Sequence, residues 1–414
     1  MRVVLLTCVA ALSLTSAVLV GPAQSDPHLR LTVSAPNRAY RETPVIASIK
    51  APRGARSLTL TLDGRPVPAQ GRRVSPDADD VQVAFVVRGL RKGESREYLL
   101  TWDRRAPKPE TGGVRATRTG GNVAITVDGA PFTVYDTTTG PTKPYFHPLL
   151  APGGQRLTRQ WPMAEVPGEE RDHVHHRGLW FTHGDVNGVD FWTETGKCGK
   201  TVHTRYDEVI SGPVFGGFRS ATDWVGPDGK RLATDTREVT VFRTAEGRLM
   251  DVTIVLRASE GALRLGDTKE GTFALRVAET MRVRGGEGKG HIETSTGLKD
   301  GAAWGKRAEW VDYYGPVGGQ TVGIAIFDHP QNLRHPTYWH VRDYGLFAAN
   351  PFGLHDFDRG QPVHAGDVSL PPTGVMTFRY RLYLHEGTTA EADVAGAWSA
   401  YVDPPTVSVT PYRR

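Results

Sequence analysis

Apolar and polar residues alternate with a period of two along most of this chain. Examples are LTLTL at 58–62, VQVAFVV at 81–87, REVTVF at 237–242 and DVTIVL at 251–256. Such a run places its apolar side chains on one face of a strand, and that face must pack against a second layer. Gly, Pro and Asp separate the runs at strand length. The sequence therefore predicts an all-β protein built from packed antiparallel sheets.

The alternating runs fall into two units. Short runs between residues 28 and 103 predict a small N-terminal Ig-like sandwich. Residues 104–118 begin with RRAPKPETGG, and because this composition disfavours a strand we interpret them as a linker. Longer runs from 119 to 403 predict one large two-sheet antiparallel β-sandwich.

One helix interrupts the strand pattern near the end of the chain. TTAE at 388–391 is a capping-box sequence, and Pro404 and Pro405 would end the element. Between them, four apolar residues share one helical face, and we interpret this stripe as core packing: Val394, Ala397, Trp398 and Tyr401.

The first 25 residues predict a secretory signal peptide. Arg2 precedes an uncharged, largely apolar stretch that runs to Val20, and small residues follow up to Ser25. An uncleaved membrane anchor is the alternative, because the stretch approaches the lower length for spanning a bilayer. Cleavage would leave Cys198 as the only cysteine, so no internal disulfide could form. We expect a secreted protein with no membrane span after cleavage.

The charge balance argues against a nucleic-acid partner. Cleavage would remove Arg2 from the 50 basic residues and none of the 45 acidic ones, which leaves a net charge of +4. Basic and acidic residues are interspersed, and no Lys/Arg block of the kind that follows a phosphate backbone is present.

The densest polar segment is DHVHHRGLWFTHGDVNGVDFWTE at 172–194. Imidazole titrates near neutrality, so clustered histidines suit general acid/base chemistry on a hydroxyl or a carbon acid. If the middle forms a strand, His175 and His183 share one face while His176 and Trp180 share the other. The catalytic candidates are His175, His176, His183 and Glu194, and the substrate-binding candidates are Arg177, Trp180, Asp185 and Asn187.

The same segment also allows a metal centre. Imidazoles two residues apart on a strand can converge on one ion, and a divalent metal held here would use His173, His175 and His183. The spacing matches none of the sharply defined zinc patterns. A metal site, a metal-free catalytic or sugar-binding cluster and a structural polar network all remain open at this point, and the cofactor is undetermined.

A second cluster occupies residues 327–356 and combines histidine, arginine and asparagine with aromatic residues in proline-punctuated loops. Sugars need hydrogen-bonding groups beside flat apolar faces, which this composition supplies. The alternative is that the aromatic residues fill the sheet and the His-Pro pairs shape turns. The substrate-binding candidates here are His329, His340, Arg342 and Asn350.

Two shorter elements add candidates. A turn before a strand at 272 carries Lys269 and Glu270, and the strand carries Arg276. Glu270 is a catalytic candidate and Arg276 a substrate-binding one, although Lys269 and Glu270 also fit an ordinary solvated pair. Trp304 and Trp310 lie on a loop that could close over a ligand, with one of them expected in the core.

Six motifs resemble a secreted bacterial family labelled "methane oxygenase PmoA". They are YFHPL at 145–149, HHRGLWF at 175–181, HGDVNGVDFW at 183–192, GDTKEG at 266–271, GIAIFDHP at 323–330 and YWHVRDYGLFAANPFG at 338–353. They span nearly all of the large unit. The resemblance implies a mutarotase-like supersandwich, in which histidines and a carboxylate on the concave sheet act on a sugar ring.

Three functions compete at this stage. The first is a secreted enzyme acting on a carbohydrate or glycoside by epimerisation, elimination or hydrolysis, with one of the cluster histidines as acid/base and Glu194 or Glu270 as its carboxylate partner. The second is a metal-dependent oxidoreductase, as the family label implies. The third is a non-catalytic glycan-binding protein. All three place a carbohydrate or another small polar molecule where 172–194 and 327–356 converge.

Overall fold

The computed structural model describes residues 28–73, 79–106, 112–285 and 288–412. The predicted signal peptide, residues 1–25, lies outside these ranges. The fold class is the predicted one, a small β-sandwich followed by a large antiparallel two-sheet sandwich. None of the helices within the described ranges has the length and apolar character needed to cross a bilayer.

The first seven strands belong to the small sandwich. They are β1 His28–Ser34, β2 Tyr40–Lys50, β3 Ser57–Leu62, β4 Arg65–Val67, β5 Ala69–Arg73, β6 Asp80–Leu90 and β7 Ser95–Asp103. Strands β2, β6 and β5 form a three-stranded sheet, and β1, β7, β3 and β4 belong to a five-stranded one. Alternate residues such as Val33, Phe85 and Leu100 are fully buried between the sheets, as the period-two pattern requires.

The fifth strand of that sheet comes from the opposite end of the chain. β26, Thr406–Tyr412, pairs antiparallel with β1, with Ser34 opposite Thr406 and His28 opposite Tyr412. The chain therefore returns to the small sandwich after completing the large one.

The large sandwich begins earlier than predicted. β8 extends over Val114–Thr119 and pairs with β9, so residues 114–118 are part of a sheet rather than of the predicted linker 104–118. Further strands complete the unit: β9 Asn122–Val127, β10 Ala130–Asp136, β11 Tyr145–Phe146, β12 Leu179–His183, β13 Lys200–Ile210, β14 Phe215–Val225, β15 Arg231–Phe242, β16 Gly247–Arg257, β17 Leu263–Leu265, β18 Gly271–Arg276, β19 His291–Thr294, β20 Trp310–Val317, β21 Gln320–Asp328, β22 Tyr338–Val341, β23 Leu346–Asn350, β24 Val368–Leu370 and β25 Val375–Glu386.

Two eight-stranded sheets face each other in this unit. The first, which we name the site sheet, has the order β22-β23-β18-β12-β11-β10-β9-β8, and the second, the back sheet, has the order β13-β14-β15-β16-β25-β21-β20-β19. Aromatic side chains fill the space between them. Phe181 lies 5.2 Å from Phe378 between ring centroids, and Phe273 stacks on Tyr380 at 4.5 Å. β17 and β24 form a separate two-stranded pair.

The helices are short. α1 is Leu354–Phe357 and α2 is Val394–Val402, with 3-10 turns at Glu279–Met281 and Asp300–Ala303. The capping box forms between Thr388 and Glu391, but it closes a turn before α2, whose N-terminus is capped by the Asp393 side chain. The α2 stripe packs against a buried cluster on the outside of the back sheet, which confirms its prediction as core packing.

Candidate functional site

The candidate site lies on the face of the site sheet that points away from the core. Phe181 and Phe273 point into the sandwich, so their neighbours along β12 and β18 point outward. Strand register places four outward residues in one row across four strands, namely Trp180, Ala274, Ala348 and His340. Two alanines between two large rings make a low floor with raised ends. We name this surface the site face.

A stack of aromatic rings covers one end of the floor. His176 stacks on Trp180 with centroids 5.4 Å apart, and His173 stacks on His176 at 4.6 Å. The ring of Tyr344 then stacks on His173 at 5.3 Å, with an interplanar angle of 8°. Tyr344 belongs to the second sequence cluster and His173 to the first, so residues 172–194 and 327–356 meet at this stack.

Asp172 and His173 form a hydrogen-bonded pair at the open end of the stack. His173 Nδ1 lies 2.5 Å from Asp172 Oδ2, and 39 % of the His173 side chain is exposed. Its Nε2 has no hydrogen-bond partner within the described ranges. His173 has a φ of 40°, in the left-handed region that non-glycine residues seldom occupy and that is enriched at functional sites.

Two buried arginines hold the Asp172 carboxylate. Arg276 Nη2 donates to its oxygens at 3.0 and 3.1 Å, and Arg159 Nη1 donates to Oδ1. Both guanidinium groups have no exposed side-chain area. Burial alone would raise the pKa of Asp172, but the His173 hydrogen bond and both arginine charges hold it well below its usual range. Asp172 is therefore a carboxylate at neutral pH, and it requires Nδ1 of His173 to carry a proton.

Burial keeps His175 and His176 neutral. Burial lowers the pKa of His175 to about 3, and the charge of Lys143 acts in the same direction. Burial also lowers the pKa of His176, whose Nδ1 lies 3.1 Å from Arg276 Nη1 and accepts its hydrogen bond. His176 is almost completely buried, whereas His175 is half-buried. Of these two, His175 alone is accessible to a ligand.

A second charged group lies beneath His175. Lys143 Nζ donates to the carbonyl of Trp192 at 2.9 Å and lies 3.2 Å from Glu194 Oε1. Arg177 Nε binds the same carboxylate at 2.9 and 3.0 Å. The side chains of Lys143 and Glu194 are 0 % and 3 % exposed, so this group supports the site from below. Glu194, predicted as catalytic, is fully occupied by the two cations.

The turn between β17 and β18 forms a rim of the site. Asn350 donates from Nδ2 to the carbonyl of Thr268 at 2.9 Å and accepts the N–H of Phe352 at 2.8 Å. These bonds fix the turn, so Asn350 positions the rim rather than offering its amide to a ligand. Lys269 and Glu270 lie 3.4 Å apart on this rim, with 43 % and 35 % of their side chains exposed.

Arg342 lies on aromatic faces at the same end of the site. Its Cζ is 5.5 Å from the ring centroids of both Trp304 and Tyr344. Trp304 is half-buried and meets the ring of His340 edge-on at 6.3 Å, whereas Trp310 is core, as one of the two tryptophans was expected to be. Burial, together with Arg342 and Lys269, lowers the pKa of His340 to about 3, so this ring is neutral.

His183 does not join the site. It shares the parity of Phe181 on β12, is fully buried on the core side and hydrogen-bonds through Nε2 to the carbonyl of Gly266 at 2.8 Å. Its ring packs on Phe352 at 4.6 Å. The predicted metal ligands His173, His175 and His183 therefore cannot bind one ion together, because the sheet separates His183 from the other two. No group of three or more His, Cys, Asp or Glu side chains suited to a metal is found in the described part of the chain.

Three further predicted ligand residues lie elsewhere. Asp185 pairs with Arg264 at 2.8 Å, and Asn187 bonds the backbone of the same β17 segment, so both fasten a turn. His329 accepts the N–H of Gln331 and packs edge-on against Tyr401 of α2. These contacts place all three residues outside the candidate site, contrary to the prediction that they bind substrate.

Several residues of the site were not among the sequence candidates, namely Lys143, Arg159, Asp172 and Tyr344. An isolated Lys or Arg in a sequence normally indicates a solvated side chain, so Lys143 and Arg159 gave no signal. Asp172 adjoins a histidine, and that adjacency was the one available indication.

The fold and the site together define a class of protein: a two-sandwich β protein with a histidine-rich polar site on one sheet face of its larger sandwich. Residues 122–399 match the model of a family described as "Family of unknown function (DUF6807)", and the chain belongs to that family. No curated protein matches it.

Two of the solved structures to which the chain is similar come from Enterococcus faecalis. One is described as a protein in the glycosyl hydrolase family 38, with 11 % identity and a TM-score of 0.40, covering 94 % of this chain and 48 % of that one. Another is described as an alpha-mannosidase from strain V583, with 11 % identity and a TM-score of 0.42, covering 94 % of this chain and 46 % of that one. The chain thus spans about half the length of these structures.

Proposed function

We propose that this protein is an exported carbohydrate-active enzyme in which His173 is the general base. The observation that carries the proposal is the Asp172–His173 pair, whose imidazole is partly exposed on a site face lined by aromatic and charged groups. Export rests on the signal-peptide pattern of residues 1–25.

The pair has the geometry that a base requires. Asp172 accepts the Nδ1 proton, so Nε2 is the ring nitrogen that can take a proton from a substrate. The carboxylate then stabilises the imidazolium that forms, as in other Asp–His pairs. Stacking between Tyr344 and His176 fixes the plane of the ring. His173 thus replaces His175, His176 and His183 as the first catalytic candidate.

The surroundings favour a sugar. Tyr344 and half-buried Trp304 contribute aromatic rings to the site, while Lys269, Glu270 and Arg342 place hydrogen-bonding groups beside them. This combination suits a pyranose, which has apolar C–H faces and a rim of hydroxyls. Burial raises the pKa of Tyr344, so its hydroxyl stays protonated and can donate a proton.

The test is turnover by the His173→Ala variant. Purified protein would be assayed against 4-nitrophenyl glycosides, keto-glycosides, neutral oligosaccharides and uronate oligosaccharides. Loss of a general base lowers turnover by about 10²- to 10⁴-fold. The melting temperature of the variant shows that it is folded. His364→Ala is the matched control, since His364 also lies beside an aspartate but is 69 % exposed and outside the site.

Two results would contradict the proposal. Turnover by His173→Ala within a few-fold of wild type would remove His173 from the chemistry. Sugar binding without turnover across the whole panel would make the protein a glycan-binding module, with the same face as its ligand site.

A further inference from the structure

Positive charge exceeds negative charge at the site face. Asp172 binds two arginines, Arg159 and Arg276, and Glu194 binds Lys143 and Arg177. Each carboxylate therefore leaves one positive charge uncompensated. Lys269 and Glu270 balance each other.

Arg342 adds a further cation. Its guanidinium has no carboxylate or carbonyl partner within the described ranges, and its contacts are the ring faces of Trp304 and Tyr344. Two nearby carboxylates are held by backbone N–H groups. Asp190 accepts those of Trp192 and Thr193 at 2.7 and 3.1 Å, and Asp356 accepts that of Lys269 at 2.7 Å. After both are counted, about one positive charge remains, because the histidines His175, His176 and His340 are neutral.

An unpaired arginine on an aromatic platform is suited to one kind of group. The guanidinium is planar and presents parallel N–H donors that match a carboxylate. Stacking on Trp304 and Tyr344 fixes the plane while leaving the N–H edge free. A Lys–Glu rim next to it supplies donors and acceptors for hydroxyls.

We propose that the substrate is an acidic sugar, such as a uronate residue of an oligosaccharide, and that Arg342 binds its carboxylate. Tyr344 connects this contact to the base, since its ring lies 5.3 Å from His173 and 5.5 Å from the Arg342 guanidinium carbon. A sugar ring bridging the two would place its carboxylate on Arg342 and a ring hydroxyl or C–H near His173. This inference rests on the proposed function and names its substrate class.

The test compares binding of matched acidic and neutral ligands. Galacturonate, glucuronate and mannuronate trisaccharides, and the same compounds after reduction of each carboxylate to a primary alcohol, would be titrated calorimetrically into the full-length protein. We expect at least tenfold tighter binding of an acidic member of a pair, weakening as salt rises from about 50 to 500 mM. Arg342→Gln should abolish this preference, and Arg342→Lys should restore part of it.

Arg257→Gln is the matched control, because Arg257 is exposed at the end of β16 in the back sheet and should leave every affinity unchanged. Equal binding of acidic and neutral members, or a preference that survives in Arg342→Gln, overturns the inference but leaves the proposed function standing. Failure of both kinds of sugar to bind overturns the two together. The melting temperature of the Arg342→Gln variant shows whether it is folded.

Discussion

Replacing Lys143 by methionine removes a buried ammonium group while keeping a similar side-chain length. The ammonium lies 2.9 Å from the carbonyl of Trp192 and 3.2 Å from Glu194, and none of the Lys143 side chain is exposed. Burial lowers the pKa of Lys143 to about 8, although the attraction of Glu194 opposes this effect. The charged form is therefore costly in the folded state.

The cost can be estimated from that pKa. A fall from 10.5 to about 8 corresponds to about 3 kcal/mol, at about 1.4 kcal/mol per pKa unit. Below pH 8 both the folded and the unfolded chain carry the proton, and the folded state bears the whole cost. Between about pH 8 and 10.5 the folded state loses the proton first, so the free energy of unfolding gains up to about 3 kcal/mol from this group.

Urea unfolding of wild type and Lys143→Met at pH 7 and pH 10 measures this directly. The difference between the two unfolding free energies should shift by about 2 to 3 kcal/mol in favour of wild type at the higher pH. Titration of other groups cancels in the difference. Lys230→Met is the control, because Lys230 is 81 % exposed and its difference should not change with pH. A pH-independent difference for Lys143→Met would refute the assigned cost of burial.

Two further substitutions test separate parts of the large sandwich. Asp235→Asn should lower the free energy of unfolding, measured in urea, by about 3 to 5 kcal/mol. The reason is that fully buried Asp235 pairs with Arg237 at 2.9 Å and accepts the indole N–H of Trp224 at 2.7 Å. A loss below about 1 kcal/mol would contradict this. His183→Leu should lower the free energy of unfolding by about 1 to 3 kcal/mol, because it leaves the carbonyl of Gly266 unpaired. We expect kcat/KM to stay unchanged. Lost turnover at unchanged stability would show that His183 belongs to the site.

Local alternation predicts individual strands well, because each face of a strand meets one environment. Phe181 and Phe273 fall on the core face as period two requires. The rule fails where a strand begins. Gly178 has a φ of 47°, and an added Cβ would come within 2.0 Å of the carbonyl of Phe146, so the chain bends there. β12 starts at Leu179, so the alternation of faces along the strand does not extend back to His175. The prediction that His175 and His183 share one face is therefore wrong.

Pairing between distant segments is a different problem. TVSVTPY at 406–412 alternates, but nothing in that pattern indicates that its partner is β1, at the other end of the chain. Strand propensity specifies a half-buried surface and leaves the identity of the neighbour open. The predicted boundary at 403 consequently missed a strand that belongs to the small sandwich.

Convergence of the two polar clusters was predictable in outline, whereas the chemistry of the site was not. Contact between His173 and Tyr344 depends on β12, β18, β23 and β22 being neighbours in that order. Sequence rules also assume that charges inside a protein are balanced, whereas here Asp172 and Glu194 each bind two cations and half-buried Arg342 has no carboxylate partner within the described ranges. Such violations are expected where ligand binding, and not stability, selects the residues. On the function proposed here, the uncompensated charge is therefore a more specific indication of the ligand site than the number of histidines is.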